Sequence, residues 1–290
     1  MSHPKVLVLL ACYNGELWLK EQLDSILNQD SVDVDIYCSV DLSTDRTLEI
    51  LECYNINILP YGERFGGAGP NFYRLFRDVS FKDYDYIALS DQDDIWLSDK
   101  LSSAIKQMTS FSADGFSSDV IAFWPDNKQS LVKKSYKPTS CDHFFESPGP
   151  GCSFVLSAQL AKDFQNFLYE NNEIGDLHDW FIYAFSRCND YSWYISNEPK
   201  ILYRQHGNNQ CGANTSLFSI LTRLKIMKSG WYRKQILLIL NTFDVNSSLR
   251  CRIYRCNFFD RLSLAAQSYK YRRKPLEKIM LSFSILFGFL

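Results

Sequence analysis

A short apolar run, residues 86–90, ends abruptly in three carboxylates within four residues: Asp91, Asp93 and Asp94. Such a run is typical of a buried strand, and open α/β sheets bind their ligands at the carboxyl ends of their strands. Three neighbouring carboxylates repel one another unless a cation neutralises them or they face water. The pattern therefore predicts either a divalent-cation site that holds a phosphorylated substrate or a solvated acidic turn.

Strand-like and helix-like segments alternate through the first hundred residues. This alternation predicts an α/β fold with a doubly wound, mostly parallel sheet flanked by helices. A loop with four glycines, residues 62–70, interrupts it, and residues 125–151, with four prolines, are expected to be irregular. The predicted strands are 5–11, 34–40, 57–60, 85–90, 120–124, 152–157, 191–195 and 200–203, and the predicted helices are 17–28, 44–54, 71–79, 99–110, 160–169 and 179–185.

Charge divides the chain into two parts. Residues 1–222 carry 17 basic and 30 acidic side chains, whereas residues 223–290 carry 14 basic and three acidic ones. We expect one domain over residues 1–215 and a helical, basic C-terminal extension over residues 216–290. The apolar end, residues 279–290, is shorter than the roughly 20 residues of a spanning helix, so it predicts either a helix lying on an anionic membrane surface or a helix packed on the core.

The nine cysteines are scattered and form no Cys-x-x-Cys pair. A scattered, odd set of thiols favours a reducing compartment. The first apolar run, residues 6–12, is too short for a secretory signal and reads as a buried strand. These features together predict a cytoplasmic protein.

Several segments resemble glycosyltransferase family 2, the inverting enzymes of the GT-A fold, and especially its rhamnosyltransferase-like bacterial members. They are residues 11–15 (Ala-Cys-Tyr-Asn-Gly), 39–47, 90–96 (Ser-Asp-Gln-Asp-Asp-Ile-Trp), 178–180 (His-Asp-Trp) and 203–209 (Tyr-Arg-Gln-His-Gly-Asn-Asn). The likeness covers about residues 5–210. It implies that residues 1–215 form a GT-A nucleotide-sugar-binding and catalytic domain.

The resemblance also implies a set of donor contacts. Asp41 would bind the base, although Val40 and Leu42 replace the aspartate and glycine that the family has beside it. Read from the residues alone, Tyr13-Asn14-Gly15 is simply a good turn. The implied donor-binding residues are Ala11, Tyr13, Asn14, Glu16, Asp41, Asp91, Gln92 and, for the diphosphate, Arg204.

By the same resemblance, Asp93 and His206 would bind Mn²⁺ or Mg²⁺, which neutralises a departing diphosphate. Asp179 would be the general base that takes the proton of the acceptor hydroxyl. Trp96 and Trp180 would form the sugar or acceptor pocket. The structural alternatives are a helix cap for Asp179, a non-ligand role for His206 and an acidic, helix-capping turn for the carboxylates.

We therefore expect a metal-dependent, inverting glycosyltransferase at the inner face of the cell membrane. Its first candidate donor is dTDP-rhamnose, followed by UDP-galactose or UDP-glucose, and its acceptor is a bacterial surface polysaccharide or a lipid-linked oligosaccharide. A sugar-phosphate nucleotidylyltransferase would need a basic Gly-rich loop after the first strand, where this chain has residues 13–16, Tyr-Asn-Gly-Glu. Nucleic-acid binding through the basic tail is disfavoured by the acidic residues 1–222, so no nucleic-acid partner is expected.

Overall fold

The computed structural model describes residues 3–207 and 229–290. Both strands and helices run through the first part, whereas the second part is helical. The strands are β1 (Lys5–Cys12), β2 (Asp33–Val40), β3 (Asn57–Ile58), β4 (Tyr86–Ser90), β5 (Ile95–Trp96), β6 (Gly115–Ser118), β7 (Val120–Phe123), β8 (Gln129–Val132), β9 (Val155–Ser157), β10 (Trp193–Ser196) and β11 (Ile201–Arg204). The helices, numbered within the described residues, are α1 (Leu19–Leu27), α2 (Thr47–Glu52), α3 (Ala68–Asp78), α4 (Lys100–Phe111), α5 (Ala158–Glu170), α6 (His178–Cys188), α7 (Trp231–Thr242), α8 (Ser247–Arg255), α9 (Phe258–Ala266) and α10 (Pro275–Leu286).

The main sheet has seven strands in the order β10-β6-β9-β4-β1-β2-β3. Strand β1 pairs in parallel with β2 and β4, and β9 is antiparallel to both β4 and β6. A smaller sheet of four strands has the order β5-β11-β7-β8. The predicted α/β architecture with a mostly parallel sheet is therefore confirmed.

Apolar residues cover both faces of the main sheet. In β1, Leu7 and Leu9 face one core, which helices α3, α5 and α6 complete, and Val6, Val8 and Leu10 face a second core, completed by α1 and α4. All five side chains are fully buried. Burial on both faces explains why β1 reads as a continuous apolar run rather than as an alternating pattern.

The C-terminal helices pack on the first of these two cores. Tyr232 and Ile236 of α7, Leu264 of α9 and Ile285 of α10 belong to the same apolar cluster as Leu7. The predicted boundary at residues 215 and 216 lies outside the described residues, as does the start of the predicted basic tail. Within the residues that the structure describes, no helix is long and apolar enough to cross a membrane.

The structure adds elements that the sequence patterns did not predict. Strand β6 consists of glycine, phenylalanine and two serines, and only pairing with β9 and β10 makes it a strand. Strand β8 lies within the segment expected to be irregular and pairs with β7 as an antiparallel hairpin. Helix α3 begins at Ala68, inside the predicted glycine loop. The expectations for residues 125–151 and for the glycine loop were therefore wrong in part, and no element had been predicted at β6, because neighbouring strands and helices decide the local conformation there.

Candidate active site

A cavity of about 920 Å³ opens where β1, β2 and β4 end. Since these three strands are parallel neighbours, the residues that follow them meet at one edge of the sheet. Asn14 follows β1, Asp41 follows β2 and Asp91 follows β4, and all three line the cavity. The structure thus brings together three residues that the family resemblance implies as donor contacts.

The acidic segment after β4 lies at the centre of this cavity. Asp91 and Asp93 line it, whereas Asp94 points away and is fully buried. One carboxylate oxygen of Asp93 lies 2.8 Å from Nε2 of His206. The His206 ring stacks on Trp18, with the ring centroids 3.8 Å apart, so the histidine is held against Asp93 from its other side. The predicted pair Asp93 and His206 is therefore assembled.

The carboxylates are crowded enough to disfavour their full ionisation. Burial raises the pKa of Asp91 to about 7, and the nearby charges of Asp93 and Asp179 add to this rise. Burial also raises the pKa of Asp94 well above its usual value, with the charges of Asp93 and Asp91 next in importance. A cation placed among these groups would offset the repulsion and the burial together.

The donor set can be tested against the metals that the sequence implies. Asp91, Asp94 and Cys152 offer ligand atoms within 4.8 Å of one another. Burial raises the pKa of the Cys152 thiol well above its usual value, so this sulfur stays protonated and is a poor ligand. Asp93 and His206, whose nearest atoms are 2.8 Å apart, line the cavity together with Asp91. They offer carboxylate oxygens, which suit Mn²⁺ or Mg²⁺, and one imidazole nitrogen.

Gln92 fixes the turn that follows β1. Its side-chain oxygen accepts a hydrogen bond of 2.6 Å from the backbone N–H of Tyr13, and its side-chain nitrogen donates one of 2.7 Å to the carbonyl of Tyr13. The next residue, Asn14, has a left-handed backbone with φ of 47° and accepts a hydrogen bond from the N–H of Thr44. Ala11 lines the cavity behind this turn. Gln92 thus couples the acidic segment to the turn predicted to bind the nucleoside.

Asp41 closes the glycine loop over the cavity. Its Oδ1 accepts hydrogen bonds from the N–H groups of Leu42 and Phe65, and its Oδ2 accepts one from Gly66, each 2.8 Å long. The carboxylate is almost completely buried yet still lines the cavity. Asp41 therefore anchors the loop, and its predicted contact with the base stays a prediction.

Asp179 lies in the first turn of α6 and lines the cavity. Its Oδ1 accepts a hydrogen bond of 2.7 Å from the N–H of Trp180, which orients the carboxylate. Its charge contributes to the raised pKa of Asp91, so the two carboxylates face a common space.

Four predicted site residues do not line the cavity. Trp96 is 3% exposed and packs in the second core, where the ammonium of Lys100 lies 3.2 Å from its ring centroid. Trp180 is 4% exposed, stacks on Tyr232 and donates a hydrogen bond to the carbonyl of His143. Both tryptophans therefore belong to the protein core, and the structure does not place them in a sugar pocket.

The other two are Glu16 and Arg204. Glu16 accepts a hydrogen bond of 3.0 Å from the N–H of Arg46, at the start of α2, and does not reach the cavity. Arg204 donates from Nε to the carbonyl of Asp93, at 2.9 Å, and its guanidinium pairs with Glu21. Arg204 thus holds the acidic segment from behind rather than facing a diphosphate.

The sequence reading missed several residues of the cavity wall. Trp18 and Arg64 line it, and the guanidinium of Arg64 lies 5.0 Å from the ring centroid of Tyr13. Lys134 and Lys274 line it as well, from segments far apart in the chain. Only the position of Arg64, inside a Gly-rich loop, gave a signal in the sequence.

This arrangement, with acidic residues at the strand ends of an α/β sheet and a further carboxylate facing them, defines a nucleotide-sugar transferase of the GT-A type. The model of the family described as Glycosyl transferase family 2 matches residues 7–156. The dTDP-rhamnosyl transferase RfbG of Shigella flexneri is 44% identical over 279 residues, which cover 93% of this chain and 96% of that protein. The chain belongs to glycosyl transferase family 2.

Solved structures with the same fold are much more distant in sequence. TarS 1-349 of S. aureus, solved in complex with UDP-GlcNAc, has a TM-score of 0.60 at 17% identity, covering 98% of this chain and 81% of that one. The mannosyltransferase PcManGT of Pyrobaculum calidifontis, solved with GDP-Man and Mn²⁺, has a TM-score of 0.51 at 13% identity, covering 99% and 86%. At these identities the likeness shows the fold alone.

Proposed function

We propose that this enzyme transfers rhamnose from dTDP-rhamnose to a growing bacterial surface glycan, with inversion at the anomeric carbon. The single observation that carries the transfer chemistry is the cavity in which the acidic segment, Asp91 to Asp93, faces Asp179. The choice of rhamnose is supported by the 44% identity to a dTDP-rhamnosyl transferase along nearly the whole chain. UDP-galactose and UDP-glucose are the alternative donors.

In this proposal Asp93 and His206 would hold Mn²⁺ or Mg²⁺ at the donor diphosphate, and Asp91 would contact the nucleotide. Such an ion stabilises the negative charge that develops on a departing diphosphate. The turn at Tyr13 would hold the nucleoside, and Gln92 fixes this turn through hydrogen bonds to both backbone groups of Tyr13. The carboxylate of Asp179 accepts the proton of the acceptor hydroxyl as the oxygen attacks the anomeric carbon.

A thermal-shift screen tests the donor. A ligand that binds only the folded protein raises its melting temperature. With Mn²⁺ present, dTDP-rhamnose is expected to raise it more than UDP-galactose, UDP-glucose or GDP-mannose at equal concentration. A larger shift with a UDP-sugar would reassign the donor, and no shift with any nucleotide sugar would contradict the proposed function.

The proposal includes contact between the C-terminal helices and the cytoplasmic face of the membrane. Support comes from exposed apolar side chains on α9 and α10: Phe259, Ile279 and Phe283, with Phe287 just after α10, are each more than half exposed. Arg255, in the last turn of α8, pairs with Asp260, so the basic character of this region comes from its composition, 14 basic against three acidic side chains over residues 223–290. Exposed aromatic residues in a basic region suit an anionic lipid surface.

Vesicle flotation tests this contact. Phe259→Ser together with Phe283→Ser is expected to reduce the fraction bound to anionic vesicles severalfold, because less apolar area is transferred into lipid. The matched control is Phe111→Ser on α4, since Phe111 is also an exposed phenylalanine but lies on a helix that covers the other face of the sheet. Equal binding of the double variant and the wild type would contradict the proposed contact between these helices and the membrane.

A further inference from the structure

A second charged group lines the cavity in addition to the acidic segment. Lys133 and Lys134 reach it from the segment after β8, and Lys274 from the residue before α10. We call these three lysines the basic wall. Two carboxylates, Glu146 and Glu277, also line the cavity and lie near Lys134, whereas Asp93 and Asp179 lie near Asp91. The basic wall and the acidic segment are therefore separate parts of one cavity.

The arginines near the basic wall are already neutralised. Arg273 lies 3.1 Å from a carboxylate oxygen of Asp142 and 3.5 Å from one of Glu146. Arg272 lies 3.5 Å from Glu146 and 3.6 Å from Glu277. These buried or half-buried pairs tie the segment before α10 to the rest of the domain, so their charges are used within the protein.

The lysines of the basic wall are not neutralised in this way. In the described parts of the chain, none of Lys133, Lys134 and Lys274 forms an ion pair. Burial lowers the pKa of Lys134, and the nearby charges of Glu277 and Glu146 offset this shift only in part. An ammonium held in this state beside a cavity gains from an anionic ligand more than an exposed surface lysine does.

The packing joins the basic wall to the helix that carries Asp179. Trp180, next to Asp179, stacks on Tyr232, with the ring centroids 5.6 Å apart. The hydroxyl of Tyr232 accepts a hydrogen bond of 2.8 Å from Arg272, the neighbour of Arg273 and Lys274 in the chain. The segment that carries Lys274 is thus connected by packing to the helix that carries Asp179. In the proposed function Asp179 is the general base, so the acceptor lies beside it.

We propose that the basic wall binds a phosphate-type anion carried by the acceptor, of the kind that joins a glycan to a lipid through a diphosphate. This inference rests on the proposed function, because it takes the donor to lie at the acidic segment and the acceptor beside Asp179. The donor diphosphate is then held by the metal site, and the acceptor phosphate by Lys133, Lys134 and Lys274. Two anionic groups can occupy one cavity because they bind at different charged groups.

Calorimetry on the full chain tests this proposal with the donor site filled by saturating dTDP and Mn²⁺. Inorganic pyrophosphate and farnesyl diphosphate serve as the free and the lipid-borne probes. The wild type is expected to bind at least one of them while nucleotide is present. Lys134→Met is expected to weaken that binding about tenfold or more, as for the loss of one charge-assisted hydrogen bond, and Lys274→Gln, which removes an exposed lysine, is expected to weaken it less. Tighter binding of farnesyl diphosphate than of pyrophosphate would identify the lipid-borne anion as the ligand.

The control variant is Lys128→Gln, which removes a lysine from the turn before β8, outside the cavity, and is expected to leave probe affinity unchanged. A thermal shift with dTDP and Mn²⁺ verifies that each variant is folded. Two results would overturn the proposal: probe binding that nucleotide abolishes in the wild type, or probe affinities that are equal in the wild type, Lys134→Met and Lys274→Gln. Failure of the proposed function would show instead as the absence of any dTDP response.

Discussion

Arg273 lies where the C-terminal segment meets the main domain, and its replacement by methionine tests that contact. The side chain is 4% exposed, and its guanidinium lies 3.1 Å from Asp142, whose side chain is fully buried. Burial alone would raise the pKa of Asp142, but the His143 ring and the charges of Arg273 and Arg187 lower it below its usual value. Asp142 is therefore a buried anion that depends on its cationic neighbours.

Removing one partner of a buried ion pair costs about 3–5 kcal/mol, because the other charge is left buried without compensation. Arg187, 3.4 Å from Asp142, and the hydroxyl of Tyr183, at 2.9 Å, stay in place. We therefore expect Arg273→Met to lower the free energy of unfolding by about 3 kcal/mol, the lower end of that range. Urea unfolding followed by tryptophan fluorescence and circular dichroism measures this loss.

Arg250→Met is the matched control in the same C-terminal region. Arg250 lies 2.7 Å from Asp244, but the Asp244 side chain is 84% exposed. Exposed pairs of this kind contribute at most about 1 kcal/mol. Equal and small losses for Arg273→Met and Arg250→Met would refute the reasoning, because the C-terminal segment would then not depend on the buried pair.

Two further predictions concern the first turn of α6. Asp179→Asn should lower kcat by about 10²- to 10⁴-fold in a steady-state transfer assay while dTDP affinity stays unchanged, and retained turnover would place the general base elsewhere. Burial lowers the pKa of His178 from 6.5 to about 4. Because the folded state disfavours the protonated imidazole, His178 should lower the free energy of unfolding as the pH falls from about 6.5 to 4. The total loss should be roughly 3 kcal/mol. His178→Gln should remove this part of the pH dependence in urea unfolding at pH 7 and pH 4.5, and the same slope in both proteins would show that His178 does not titrate in this range.

The sequence predicted well what local patterns encode. The apolar run of β1 and the run before Asp91 are strands in the structure because both are buried on two faces, which demands unbroken apolar residues. The meeting of Asn14, Asp41 and Asp91 followed from the parallel order of their strands. Asp93 and His206 are 113 residues apart, and their contact was predictable only through the family resemblance.

Side-chain direction after the acidic segment was not predictable in this way. Trp96 turns into the core because β5 pairs with β11, a strand about a hundred residues later in the chain. Arg204 ends that same strand, so its guanidinium lies behind the acidic segment. An aromatic or basic residue beside a functional motif looks the same in sequence whether it faces the ligand or the core.

The position of Lys134 and Lys274 in one cavity wall could not be predicted from the sequence for a similar reason. The two residues are 140 positions apart, and the charge count assigned Lys274 to a separate basic tail. Packing of the C-terminal helices on the first core brings its segment to the cavity. A net charge shows that a region is basic, but only the fold shows which of its cations face a ligand.

The proposed metal site at Asp93 is the part of the proposed mechanism on which the rest depends. Calorimetric titration of the full chain with dTDP-rhamnose, with Mn²⁺ and with EDTA, compares the wild type with Asp93→Asn and with Asp99→Asn. Asp99 is a half-exposed aspartate nearby in the chain that pairs with Lys200 and lies outside the cavity. We predict that Mn²⁺ strengthens binding at least tenfold in the wild type and in Asp99→Asn, and that Asp93→Asn loses this gain. An undiminished Mn²⁺ effect in Asp93→Asn would contradict the assignment of the metal to the acidic segment.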